Sequence, residues 1–586
     1  MRVRIGVVLV AAVALATAVD AHSATFTVTR TDDNPLPGAC DSDCSLREAV
    51  LAVDAGSGGD TIVLPAGHYR LSIAGTGEDA AAKGDLDLTK NVTIAGAGAR
   101  STTIDALGVD RALDVATGVT ALVTDVTVTG GQVAGDGAGI RNAGTLTLVR
   151  DAIVGNHALG VGGGVSSSGP ALAVTQSTIS GNQASIGGGV RAGQVLTVTG
   201  STINGNVAGG PGSIMGTAGG ISGGLGSTVS LKSSTVTANQ SFAGPGSGGG
   251  IEASSPSVQN SIVAQNVAHA ADQSTASMDN CSAATTSQGN NLSDSSDCGF
   301  TQSGDHQGVP VSLGPLTDNG GPTDTRAVVP GSAALDAGAG CPATDQRGAS
   351  RPRGAACDIG AYELAAPTAT TAEMEMIGPS SVLLHGILGP GVQLAGFGFQ
   401  YGPTVAYGST APGGWIPPAL TPTSVSARVA DLKAGTVYHF RLTATNADGT
   451  AVGADQTFQL DRKRPVLGFL RAMPGIFRAT KGTTFQFKLS EAATVTFKFD
   501  RVQPGARRRG KCIPRYKFRR GRPCTRYLAL AGSITAAGQF DANRFAFDGK
   551  LRNRRLGAGV YRLRAVARDA AENASKTAIA AFRVVR

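Results

Sequence analysis

Carboxylates and cations gathered close together are the groups with which a protein acts on a polysaccharide, by acid/base chemistry or by holding Ca²⁺. Five fall between positions 85 and 111 of this chain: Asp85, Asp87, Asp105, Asp110 and Arg111. They are expected to line turns. Across 151–270 the charged residues are Asp151, Glu252, Arg191 and Lys232, and two acids with two bases build no polyuronide site. His157 and His269 stand near turns without a carboxylate or serine in matching register. Asp318-Asn319-Gly320 and the stretch from Asp294 to Asp297 could offer oxygen ligands to Ca²⁺, yet neither is a dense ligand loop, and both read as Asx turns. The expectation is a protein with no catalytic residue, no metal site and no cofactor.

Charge divides the 586 residues in two. Positions 461–586 hold 30 Lys+Arg against 7 Asp+Glu, and 1–460 hold 20 against 35. Within the basic part, Arg515, Lys517, Arg519, Arg520 and Arg522 lie between Cys512 and Cys524 and are candidates for binding anions. Anionic envelope polymers or extracellular glycans are the expected partners. Export argues against nucleic acid.

That export is read from the N-terminus. Arg2 and Arg4 precede an apolar run from Ile5 to Val19, and Val19-Asp20-Ala21 suits cleavage after Ala21. No later stretch is apolar enough to span a membrane, so no integral membrane contact is expected after cleavage. The eight cysteines fall as neighbours in sequence: Cys40 and Cys44, Cys281 and Cys298, Cys341 and Cys357, Cys512 and Cys524. Local pairing is the simplest reading in an oxidising space, although eight cysteines allow roughly a hundred connectivities.

Repeats must position all of these groups. A glycine step into a β-branched residue recurs at Gly139-Ile140, Gly164-Val165, Gly189-Val190, Gly220-Ile221 and Gly250-Ile251, at intervals of 25, 25, 31 and 30 residues. A short Thr/Val/Ile strand closed by asparagine follows each one, at Asn156, Asn182, Asn206, Asn239 and Asn266. Period-2 alternation followed by Gly-Asn means a strand and a sharp turn. A period near 25 accommodates a coil of three short strands and three turns, stacked at about 4.8 Å. The recurring asparagine can then form a side-chain ladder. The longer intervals leave loops, Gly209 to Thr217 and Phe242 to Ser247, expected to project from one face. The fold class is all-β: a right-handed parallel β-helix over 22–364, followed by two β-sandwich units at 365–460 and 461–586.

An open solenoid end needs a cap. Ser45, Leu46, Arg47 and Glu48 form a capping box that opens a helix to about Val53, stopped near Gly56, with Thr61 to Leu64 as the first strand.

Here the chain resembles a known group. Cys44-Ser45-Leu46-Arg47-Glu48-Ala49 resembles the CSLREA motif that opens many secreted bacterial β-helix proteins. Leu313 to Leu316, Asp318 to Pro322, Ala334 to Gly338, Asp345 to Gly348 and Cys357 to Glu363 are similar to the closing segment of the choice-of-anchor Q proteins, relatives of the pectin-lyase-like fold. The resemblance implies a secreted β-helix and says little about activity. Downstream, Phe399 to Gly402 and Asp431 to Gly449 resemble fibronectin type III-like modules, with His439 a solvated strand residue. Val560 to Ala565 with Asp569 to Asn573 resembles an Ig-like bacterial repeat, except that Glu572 stands where such repeats carry glycine.

The leading expectation is therefore a non-catalytic surface or adhesion scaffold displaying a flat Thr/Ser/Asn-rich face. β-Helices also host pectate lyases and polygalacturonases. The rival expectation is thus a carbohydrate-active enzyme, a polysaccharide lyase or glycoside hydrolase, with its site in the coils around 85–140.

Overall fold

A computed structural model describes residues 23–586 apart from 34–38, 78, 211–215, 271, 379, 420 and 516–520. The proposed signal segment lies outside the described residues, as do Lys517, Arg519 and Arg520. Strands from Thr25–Thr27 to His306–Gln307 stack as a β-solenoid of two ten-stranded and two seven-stranded sheets, in parallel except for Ala276–Met278, which pairs antiparallel with Val267–His269. One coil shows the plan. Ile140–Asn142 enters a narrow sheet, Thr145–Val149 and Ala152–Val154 enter the two long sheets, and His157–Ala158 enters the other narrow sheet. Each such coil therefore has four strands rather than three, because the fourth spans two residues, too short to show alternation. The inward column Ile153, Ile179, Ile203, Val236 and Val263 is fully buried, and each such side chain contributes about 1.5–3 kcal/mol by leaving water.

The asparagine ladder forms. Each backbone N–H and side-chain amide from Asn156 through Asn239 donates to the Oδ1 of the next asparagine at 2.9–3.0 Å. Asn266 extends the run to Asn280. The glycine step is the other half of this device. A Cβ at Gly139, Gly164, Gly189, Gly220 or Gly250 would lie within 3.1 Å of the Nδ2 of Asn156, Asn182, Asn206, Asn239 or Asn266. Each glycine thus lets the next strand pass directly over its own coil's amide.

A second ladder runs at the turn between the long sheets. Asp151 N donates to Ser177 Oγ, and the chain of bonds continues through Ser201, Ser234 and Ser261 to Asn291. Its signal was the serine preceding each repeated strand, as in Ser177-Thr178-Ile179 and Ser201-Thr202-Ile203. Asp294 and Asp297 lie in a bend and turn, as expected, and also terminate the first ladder. The Asn280 side-chain amide donates to Asp294 at 2.8 Å, and Asn280 N donates to Asp297 at 2.6 Å.

The helix Leu46–Ala55 closes the first end as the sequence predicts. Ser45 Oγ accepts from Glu48 N, and the Glu48 carboxylate accepts from Ser45 N. Leu46, Ala49, Val50 and Val53 join the solenoid core. Arg47 is buried and donates to both oxygens of Asp33 at 2.7 and 2.9 Å and to the carbonyls of Ala81, Gly84 and Asp85. Its role is structural. The outermost strand is not 61–64 but Thr25–Thr27, which pairs with Asp60–Leu64.

The closing segment does more than end the stack. Residues 313–361 run back along the outside of one long sheet. Thr178 Oγ1 donates to Asp324 O, Thr202 Oγ1 to Gln346 Oε1 at 2.6 Å, and Ala361 N to Thr235 Oγ1. Thr178, Thr202 and Thr235 are consequently buried. The strap covers that part of the Thr-rich face expected to be on display. Phe242, expected in a projecting loop, is buried against His269, with ring centroids 4.7 Å apart. All four local disulfides are present.

Two antiparallel units follow. In the first, Thr368–Gly378, Ser381–Gly389 and Thr423–Val429 face a sheet containing Ser409–Ile416, Ala395–Gly402 and Val437–Asn446. Leu384, Phe399, Phe440 and Leu442 lie in their shared core. His439 is not simply solvated, since its Nδ1 lies 2.7 Å from Asp455 Oδ2. The joint to the solenoid is buried and polar. Arg347 lies 3.5 Å over the Tyr362 ring, the Tyr362 hydroxyl donates to Asp448, and Asp448 also accepts from Ala365 N. In the last unit Phe477, Phe485, Phe487, Phe497, Phe499, Phe547 and Phe582 form an aromatic core. Glu572 there adopts φ +61°, the left-handed backbone that a glycine holds without strain.

Candidate functional site

Two regions hold the side chains with chemistry. The first lies in the early coils, where Leu86–Leu88, Leu113–Val115 and Ile140–Asn142 are neighbours in one narrow sheet. Parallel register sets Asp87 beside Asp114 and Asp114 beside Arg141. Turns were the expected place for Asp87, but it lies mid-strand, and its carboxylate converges with those of Asp79 and Asp114 to within 4.8 Å. Asp114 and Arg141 were not singled out from the sequence, because residues some 27 positions apart become neighbours only when the coil length sets the register.

Two arginines offset part of the negative charge in this cluster. Arg111 Nη1 donates to Asp85 at 2.8 Å and to Asp114 at 3.2 Å, while Arg141 pairs with Asp114 and stands 3.7 Å from Asp79. Burial pushes the Asp85 carboxyl up to about 6, against the opposing pull of Arg111. The hydrogen bond from Arg141 to Asp114 raises the arginine further above its ordinary value. Asp79, Asp87 and Asp114 with Thr89, Arg141 and Ser168 line a recess of about 390 Å³. Oxygen ligands for a cation are present there, but Asp85, the group poised to carry a proton near neutrality, sits beneath Arg111 and outside that lining. Asp105 is elsewhere, paired with His68 at 2.8 Å, and Asp110 accepts from Arg111 N. The five early residues thus divide into an Asp85–Arg111 pair, Asp87 in the recess, and two that do not join it.

The second region is the terminal unit's cationic arm. Ala493–Arg508 and Pro523–Gly538 pair over their length, but only 494–502 also pair with the neighbouring Gly559–Arg568. Beyond Val502 the ribbon leaves the sheet, joined by Lys511–Pro514 on its far edge. Residues 501–540 contain 11 Lys+Arg and no Asp or Glu. Arg507, Arg508, Arg509, Lys511, Arg515 and Arg522 are exposed on the arm. Of the five anion-binding candidates, Arg515 and Arg522 are therefore placed there, and the other three lie outside the described residues. The Cys512–Cys524 bridge braces the arm across Gly505, where a Cβ would meet Cys512 Sγ at 2.5 Å. At the base Asp500 accepts from Arg562 and Arg564 at 2.8 Å. Burial works to raise its carboxyl, but those two hydrogen bonds outweigh it and hold the group below the usual range.

No family profile and no curated protein matches the chain. Among solved structures it is similar to the chicken CNTN1 FN1–FN3 domains, at 13% identity and a TM-score of 0.14, over 38% of this chain and 67% of that one. The architecture of the terminal units therefore stands on their own strand pairing.

Proposed function

We propose that this chain is a secreted or cell-surface scaffold, not an enzyme, that holds anionic polymers of a cell envelope through the arm of its terminal unit. The carrying observation is the run 501–540, with 11 cations and no acid, of which Arg507, Arg508, Arg509, Lys511, Arg515 and Arg522 are exposed on a disulfide-braced ribbon. Clustered cations on a disulfide-braced ribbon attract a polyanion by long-range electrostatics. Export is supported by four disulfides, by the Arg2/Arg4 leader pattern and by the CSLREA-like motif. No helix among the described residues is long and apolar enough to cross a membrane. The solenoid serves as spacer and display surface, and the outward face of its other long sheet, with Thr145, Thr147, Thr197 and Thr228, is free of the strap. The test is binding of the full chain to teichoic acid, lipopolysaccharide and polygalacturonate at low and high salt. Tight binding that fades by 0.5 M salt is expected, where screening falls below about 5 Å; salt-insensitive binding, or none, rejects the proposal.

A second reading has one observation in its favour, the three convergent carboxylates at Asp79, Asp87 and Asp114. It makes the early coils a lyase or hydrolase site. Reducing-sugar and unsaturated-product assays, with turnover lost in Asp87→Asn, would establish it in place of the scaffold.

A further inference from the structure

We infer that the outer face of the first antiparallel unit carries a glycan-stacking platform centred on Trp415, taking the apolar face of a neutral pyranose. This goes beyond the polyanion arm and rests on different residues. Trp415 is the one tryptophan of the chain, and it is 71% exposed. It stands directly opposite Gly396 across the strands Ser409–Ile416 and Ala395–Gly402.

The indole lies flat. A Cβ at Gly396 would meet ring atom Cζ3 at 3.1 Å and both of its neighbours, Cε3 and Cη2, at 3.3 Å. Near-equal distances to three consecutive ring atoms belong to a point above the ring plane, whereas an edge-on ring would hold the outer two well apart. The missing side chain at Gly396 seats one ring face on the backbone and leaves the other open to solvent.

What surrounds the ring selects the occupant. Gly396 pairs on its other side with Thr445, whose hydroxyl lies 2.9 Å from that of Thr450. The next positions on this face are Gly398 with Thr443, then Gln400 with Arg441. Arg441 is committed to Gln400 at 2.8 Å and to the Tyr407 ring at 4.7 Å. The ring is bordered by Gly396 and Gly398 and by Thr443 and Thr445 on the next strand, with the exposed Leu394 beside Gly396. A pyranose matches such a border, with C–H groups for the electron-rich ring face and hydroxyls for the threonines. Two residues upstream of Gly396, Leu394 edges a recess of about 290 Å³ that also contains Asp318, Asn319 and Gln393. At a strand rise of about 3.3 Å per residue, the recess begins roughly 7 Å from the platform, within reach of the next sugar of a chain.

Because Trp415 is the single tryptophan, fluorescence of the full chain excited at the red edge, beyond the absorption of its eight tyrosines, reads this site alone. Titration with cellopentaose, chitopentaose and mannopentaose should give a saturable blue shift or quench with at least one of them, unchanged by 0.5 M NaCl, while the polyanion arm releases its ligand at that salt. Trp415→Ala should lower affinity at least tenfold by calorimetry. Gly396→Val, which tilts the ring off the sheet, should lower it at least fivefold with the melting temperature retained. An emission spectrum that ignores all three sugars overturns the inference. So does wild-type affinity in Trp415→Ala. A concentration-dependent blue shift accompanied by a sedimenting dimer would overturn it by assigning the face to a second copy of the chain.

Discussion

The solenoid and the terminal unit solve the same problem with opposite materials. The solenoid core is mostly Val, Ile, Leu and Ala, with Tyr69 and Phe300 as its buried rings, and its turns are organised by buried amides and hydroxyls. The terminal unit packs seven phenylalanines in one cluster, and among its described residues no comparable ladder runs. Most layers bury only aliphatic side chains, so each layer buries little and its turn polar groups must satisfy one another from coil to coil. A two-sheet sandwich has a gap about 10 Å wide, which rings fill. The difference extends to charge. Central coils carry few charged residues, Asp151, Arg191, Lys232 and Glu252 over 151–270, whereas the sandwich carries a cationic arm outside its core.

The comparison predicts where each half breaks. Phe485→Ala, at the centre of the ring cluster, should cost about 3–5 kcal/mol and lower the terminal unit's thermal transition while the solenoid's transition stays in place. Asn206→Leu should act on the other half. It strands the Asn182 N–H and amide that Asn206 Oδ1 now accepts, a loss of about 2–3 kcal/mol seen as earlier hydrogen exchange in adjacent coils. A uniform effect of either change on both transitions would mean that the two regions fold as one cooperative body.

Neutralising the arm sharpens the contrast between binding and stability. Arg507, Arg509 and Lys511 changed together to glutamine should weaken polyanion binding about tenfold at low salt and leave both transitions unmoved, since exposed charges contribute little to stability. Gly505→Ala should leave two titratable thiols per chain under denaturing, non-reducing conditions, because its Cβ would lie only 2.5 Å from Cys512 Sγ and push the sulfur aside.

The smallest effect is pH dependence in the early coils. Asp85 holds its proton up to about pH 6 in the fold, against about 4 in an unfolded chain. Its contribution is therefore full below about pH 4 and lost as pH rises through 6. Differential scanning calorimetry should show the solenoid transition falling over that interval, with the slope reduced in Asp85→Asn. An unchanged slope would place the titrating group elsewhere.

Much of this was legible because repeats report their own contacts. The period around 25 and the recurring Gly and Asn pointed to the stack and to the asparagine ladder. The capping box at Ser45 and Glu48 pointed to the helix, and sequence proximity to all four disulfides. The serine ladder was equally written in the repeats but masked by the serines that alternate outward. The four-strand coil was hidden because a two-residue strand has no periodicity. The arm's charge was visible, and its shape was not.

Sequence alone determined the class of architecture, since local alternation, glycine steps and capping are properties of neighbouring residues. Only the tertiary structure decided which side chains meet. Coil length brought Asp87, Asp114 and Arg141 into register. The strap's return path buried Thr178, Thr202 and Thr235. A missing Cβ on the adjoining strand laid Trp415 flat at the surface. Each of these depends on a distance across the chain, which no local pattern encodes.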